Sequence, residues 1–198
     1  MKRAFTLIEM LVVIGIVAIL VVAASQSLVS ASRAAQKAKA QDLVQQVATA
    51  LSAMYEANEG LWPKRLAVAG ERGTQIDERL GYAFVSGDNN YLSLDHSGGK
   101  LVGYDRFGVL DPWGADIVRK KGTSAALKDV EGHRLWFAVD ADGDGVIAGA
   151  NVGGESVDVR ATAIVWCAGK DGKMEPYSKG LKKDDVYSWT VGQTRDVK

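Results

Sequence analysis

The chain has 198 residues, enough for one domain plus an appendage. Its 24 Lys and Arg balance 24 Asp and Glu, so there is no basic excess to hold a nucleic acid. A single cysteine, Cys167, excludes an intrachain disulfide and any zinc site built on several thiolates.

The N-terminus reads MKRAFTLIEMLVVIGIVAIL. From Phe5 to Ala24 nearly every residue is apolar, about the 20 residues a helix needs to span a bilayer. Glu9 interrupts this run. An acid at membrane depth costs about 2.5–3.5 kcal/mol on insertion scales, so it needs compensation. Lys2 and Arg3 followed by an apolar run also fit a secretory signal peptide cut near Ala23–Ser25, or a plain anchor. Neither of these accounts for Glu9.

The run continues into SRAAQKAKAQDLVQQVATALSAMYEANEG. Ala40, Val44, Val47, Leu51 and Met54 recur at spacings of four and three, one face of an amphipathic helix. Lys39, Asp42, Gln45, Gln46, Thr49 and Ser52 form the other face. Gly60 and Pro63 mark its end, and no proline interrupts residues 5–59. An unbroken helix of that length measures roughly 80 Å at 1.5 Å per residue. Beyond residue 63 short runs rich in Val, Ile, Trp and Tyr (AFVSG, NNYLSL, RLWFAVD, ATAIVWCAG, VYSWTV) alternate with Gly, Asn and Asp clusters. The expected fold class is α+β: a long N-terminal α-helix packed against an antiparallel sheet of about four strands with long loops. Residues 70–80 are left open between helix and loop.

One polar cluster stands out, Asp140-Ala-Asp142-Gly-Asp144-Gly145. Alternate carboxylates, a glycine bend and the carbonyl of Val146 match the first half of an EF-hand-type calcium loop. The twelfth position is Asn151, with Glu155 and Asp158 nearby as substitutes. The alternative is a solvated turn, because Asp and Gly are turn residues anyway. His96 and His133 stand alone and read as surface or loop residues. Cys167 lies in an apolar strand and reads as a packed thiol, and the tryptophans read as core. Ser-His-Asp arrangements, phosphate-binding loops and GxGxxG are absent, so nothing points to an enzyme.

The opening MKRA-FTLIE resembles the processing signal of type IV prepilins and type II secretion pseudopilins. The resemblance implies that a prepilin peptidase cuts between Ala4 and Phe5, and that the new amine of Phe5 is N-methylated with its charge kept. It also implies that Glu9 pairs with the Phe5 amine of a neighbouring subunit during assembly. Two departures are Ala4, where most members have Gly, and Gln26, where many have Pro. Three later stretches resemble the major pseudopilin of type II secretion: Asp111-Pro-Trp-Gly114 entering the sheet, the turn Cys167–Gly172, and Asp184-Asp-Val-Tyr-Ser-Trp189. The junction Met54-Tyr55 to Gly60-Leu-Trp-Pro63 is similar as well. By this resemblance a second calcium site falls at Asp171, Asp184 and Asp185, with Lys182 and Lys183 unfavourably close.

The division implied is leader 1–4, membrane and filament-core helix 5–28, amphipathic helix 29–59 and globular domain 60–198. The function implied is that of a structural subunit of a secretion pseudopilus. Such a subunit is anchored in the inner membrane by a single pass, with its C-terminal domain in the periplasm, and it polymerises with itself into a helical filament. The partners implied are the peptidase, the inner-membrane assembly platform and minor pseudopilins, with no nucleic acid. A type IV pilus subunit and a membrane-tethered periplasmic module using the same signal are the alternatives.

Overall fold

A computed structural model describes residues 7–67, 70–76, 96–97, 100–101, 104–105, 108–122, 126, 128–180, 184–189 and 193–194. Helix α1 runs without a break from Leu7 to Ala57 and passes through Gln26, where proline would have broken it. It ends where the backbone turns left-handed at Glu59 and Gly60. The chain separates into two compact units, residues 1–36 and 37–198. In the first, α1 exposes its large apolar side chains, from 50% at Val13 to 83% at Leu7.

In the second unit the strands are β1 (Thr74–Gln75), β2 (His96–Ser97), β3 (Lys100–Leu101), β4 (Tyr104–Asp105) and β5 (Gly108–Val109). They continue with β6 (Trp136–Val139), β7 (Ile147–Val152), β8 (Glu155–Val159), β9 (Ala163–Cys167) and β10 (Val186–Tyr187). The main sheet is antiparallel and four-stranded in the order β1-β6-β9-β10. Its register sets Trp136 opposite Trp166, Phe137 opposite Val165 and Val186 opposite Cys167. The α+β class expected from the sequence is therefore the observed one.

Side chains on a strand alternate between faces, and here both faces are covered. Phe137, Val139, Val165, Cys167 and Val186 join Val44, Val47 and Leu51 of α1 in one core. Ala138, Ile164, Trp166 and Tyr187 point the other way and join Ile147, Val152, Val157 and Val159 of the β7–β8 hairpin. The order is thus helix, sheet, hairpin. Every residue of β9 is buried, which accounts for its unbroken apolar run in place of alternation. Gln41 of α1 donates to the Tyr187 carbonyl at 3.1 Å and ties the helix to β10.

The structure adds to or departs from the sequence reading in several places. The stretch after Asp111 does not enter the sheet directly: Pro112–Lys121 is helix α3, after α2 (Lys64–Ala67). Asp111 is its N-cap, accepting from Gly114 N–H at 2.7 Å, and Pro112 opens the first turn. His133, expected at the surface or in a loop, lies in the short turn Glu131–His133 but is only 5% exposed. Within 70–80, Thr74–Gln75 forms edge strand β1 and is neither helix nor loop. The hairpin β7–β8 was not foreseen. The runs AFVSG and NNYLSL lie outside the described residues.

Candidate functional site

Ala4 and Phe5, expected to flank the cut, lie outside the described residues. Glu9 stands exposed in the first turn of α1, amid exposed Leu7, Ile8 and Met10. Among the described residues no helix is long and apolar enough to cross a membrane. The span expected from the sequence begins at Phe5 and runs past Val22, and both of its ends lie beyond the side chains described.

The acidic loop connects β6 to β7. Asp140 is 4% exposed and organises the bend: Oδ1 accepts from Gly143 N–H and Oδ2 from Gly145 N–H, both at 2.8 Å. Both glycines have positive φ, +78° and +83°, a conformation that suits residues without a Cβ. Asp142 accepts from Asp144 N–H at 3.2 Å, and Asp144 turns back to Val146 N–H at 2.7 Å. Oxygens of Asp140, Asp142 and Glu71 lie within 4.8 Å of one another. Glu71 is an addition the sequence did not suggest. It arrives on the segment before β1 and also accepts from Ala148 N–H. Asp144 is outside that group. Asn151, Glu155 and Asp158 accept from Gly154, Ser178 and Gly149 amides, within the hairpin and beside it.

An all-oxygen set of three carboxylates fits a hard cation such as calcium. Each oxygen holding one N–H keeps a second lone pair for a metal. A neighbouring relationship supports the loop: Trp62 donates its indole N–H to the Asp140 carbonyl at 2.6 Å, and its ring packs on Tyr55 near the end of α1.

The C-terminal turns form a separate cluster. Asp184 Oδ2 accepts from Lys170 and Asp171 N–H at 2.6 and 3.2 Å. Asp171 accepts from Lys173 N–H at 2.9 Å. Asp185 is 5% exposed, and one of its oxygens accepts from Glu175 N–H and the Tyr187 hydroxyl. Its other oxygen, Oδ1, is buried without a hydrogen-bond partner. Burial, with Asp184 and Asp171 adding repulsion, pushes the Asp185 carboxyl up to about 6, against the pull of the Glu175 amide and Tyr187 hydroxyl. The two turns are stacked so closely that a Cβ at Gly169 would stand 2.4 Å from the Asp184 carbonyl oxygen. Lys182 and Lys183 lie outside the described residues. Burial likewise pushes the Cys167 thiol far above its ordinary range, so it is an inert core group.

Residues 1–25 match the family model of the prokaryotic N-terminal methylation motif. No curated protein and no solved structure matches the chain. The chain thus carries a type IV pilin-like, prepilin-type processing signal. A motif of this kind indicates a membrane-anchored N-terminus and is typical of structural subunits and not of enzymes.

Proposed function

We infer that the protein is a structural subunit of a type II secretion-type pseudopilus, a helical filament assembled from the inner membrane to drive protein export. The observation that carries this reading is the methylation motif at residues 1–25, continuous with a helix whose apolar side chains and Glu9 are exposed. Such a surface is unfavourable in water and becomes favourable when many copies bury it together. Subunits related by a contact that does not close on itself give a helical filament. Glu9 then meets the methylated Phe5 amine of the next copy, and a buried ion pair of this kind fixes register. The stretches Asp111–Gly114, Cys167–Gly172 and Asp184–Trp189 favour the pseudopilus over a type IV pilus. The partners are then further copies of the chain, the prepilin peptidase, the inner-membrane platform and minor pseudopilins, and the domain after α1 lies in the periplasm.

Calcium belongs to the same reading. Asp140, Asp142 and Glu71 would hold it, with Asp144 and the Val146 carbonyl beside them. Asp171, Asp184 and Asp185 are the alternative or additional place. Bound there, the ion neutralises carboxylates and stiffens the loops; it takes part in no reaction.

N-terminal mass spectrometry of protein from its native host tests the reading. The expected mature chain starts at N-methyl-Phe5 and is recovered in sheared filaments. A chain starting near Ser25 or Gln26 overturns it in favour of a signal peptide. Correct processing without filaments favours the membrane-tethered module.

A further inference from the structure

Between Glu9 and Asp42 the chain carries no acid, and the cations of that interval are Arg33, Lys37 and Lys39. Lys37 and Asp42 are both exposed on α1. Exposed charges on a helix ordinarily serve their own chain, paired three or four residues apart. Asp42 is not used in that way. Lys39 stands three residues before it, yet among the described residues no ion pair joins Asp42 to a cation. Asp42 accepts instead from Gln46 Nε2 at 2.7 Å, one turn further on. Lys37 stands five residues before Asp42, a spacing that puts the two on different faces of one helix.

That spacing is close to one the filament already uses. In the pseudopilus reading, on which this inference rests, Glu9 meets the Phe5 amine of the next copy, and Phe5 stands four residues before Glu9. Parallel helices making that contact are offset by about 6 Å, at 1.5 Å per residue. Setting Lys37 of one copy level with Asp42 of the other takes an offset of about 7.5 Å. The difference is the rise of one residue, well within the reach of a lysine side chain. The phase agrees as well: Lys37 follows Phe5, and Asp42 follows Glu9, by about nine turns of 3.6 residues. Positive and negative charge recur in the same order along a helix that has no break from Leu7 to Ala57.

We propose that Lys37 of one copy pairs with Asp42 of the next, in the same direction as the Phe5 amine with Glu9. One copy then supplies two cations and its neighbour two carboxylates. An ammonium has three donors and a carboxylate about four acceptor positions, so contacts within the chain leave both groups able to reach a second copy. The occupant of this helix face is therefore the chain itself, whose acids and bases complement each other under one small offset. The second pair adds register. A single contact at Glu9 lets two helices pivot about it. A second contact, roughly 50 Å along the axis at 5.4 Å per turn, fixes their angle, and a slip of one turn breaks both pairs together.

Two sets of variants in the native host test the pairing, each read in the sheared filament fraction. Charge exchange is the first. Lys37→Asp and Asp42→Lys each set like charges together and should each lower filament yield about tenfold, while the double variant restores most of it. Lys39→Glu changes the charge at a position two residues on, on the far side of the helix, and should keep the wild-type yield. The second set is Lys37→Cys with Asp42→Cys in one chain. Five residues apart on a helix they are too distant to bridge within the chain, and Cys167 is buried. Mild oxidation should therefore give a ladder of cross-linked subunits on a non-reducing gel, and neither single cysteine variant should. Filaments without a ladder overturn the pairing, as do single losses that the double exchange fails to rescue, or an equal loss from Lys39→Glu. If the cysteine pair does not assemble, the charge exchange decides alone. A wild-type chain that forms no filament overturns the pseudopilus reading and this pairing with it, whereas wild-type filaments that ignore both sets overturn the pairing only.

Discussion

The indole N–H of Trp62 donates to the backbone carbonyl of Asp140 at 2.6 Å, joining the segment after α1 to the first residue of the acidic loop. Trp62→Phe keeps the ring contact with Tyr55 and removes only this bond. It should cost about 1 kcal/mol of stability, the net value of a hydrogen bond in a part-buried place. It should also weaken any calcium stabilisation, because the loop loses a fixed point. Chemical denaturation of both proteins, with calcium and with chelator, measures the two effects together.

Calcium at the acidic loop has a thermal signature. Millimolar calcium should raise the melting temperature of the full chain in detergent, and chelator should reverse the rise. Binding to the folded state alone contributes about 2.7 kcal/mol at a hundred times the Kd. Asp142→Asn and Glu71→Gln should each remove most of the gain, while Glu71→Gln keeps an acceptor for Ala148 N–H. A melting temperature indifferent to calcium retires the site. A gain lost only with Asp185→Asn transfers it to the C-terminal turns.

Asp185 gives a pH dependence of its own. Its folded carboxyl titrates near 6, above the ordinary 3.8, so the folded state binds a proton that the unfolded chain releases. Stability should fall as pH rises from about 4 through 6 and stay lower above that. Asp185→Asn should flatten this slope and, in chelator at pH 7, stabilise the protein by about 1–2 kcal/mol after allowance for solvent screening. Urea denaturation at pH 4, 5, 6 and 7 is the measurement. An unchanged slope in the variant would show that Asp185 is ionised throughout.

Glu9 should matter only when subunits assemble. Glu9→Leu removes an acid from an apolar run, so cleavage and membrane levels should remain normal. The incoming Phe5 amine is then left unpaired among apolar side chains, a loss of about 3–5 kcal/mol by the measure of a broken buried pair. Filaments should be lost or greatly reduced, with Glu9→Asp intermediate because charge remains and reach does not. Shear and membrane fractions from the host, blotted side by side, separate the effects. Wild-type filament yield from Glu9→Leu would remove Glu9 from the assembly contact.

What the sequence made legible was local and periodic. The spacing of Ala40, Val44, Val47, Leu51 and Met54 marks a face that is buried in full. The apolar runs around Phe137 and Val165 became the central strands because β-branched and aromatic residues suit a sheet covered on both sides. The hairpin β7–β8 was hidden by small residues and by the register shift between Ile147 and Ala150, which breaks alternation. Helix α3 did announce itself, since Asp followed by Pro is a helix-start signal; the likeness to a sheet-entering motif masked it. Glu71 and His133 left no such trace. Their partners, Asp140 and Asp111, are brought near by folding, and no pattern within a short window records that.

Strand β9 leaves no face to water, because α1 covers one side and the β7–β8 hairpin the other. Neither layer can therefore peel away while the rest persists, since its departure would expose Val165 or Trp166 along with the neighbours each packs against. The second unit should melt in one step, with the amides of Ala163–Cys167 exchanging at the rate of whole-domain opening. The same arrangement restricts where the chain tolerates added length. A residue inserted into β9 would swap Trp166 to the helix side and Val165 to the hairpin side, and the two faces have room for opposite shapes.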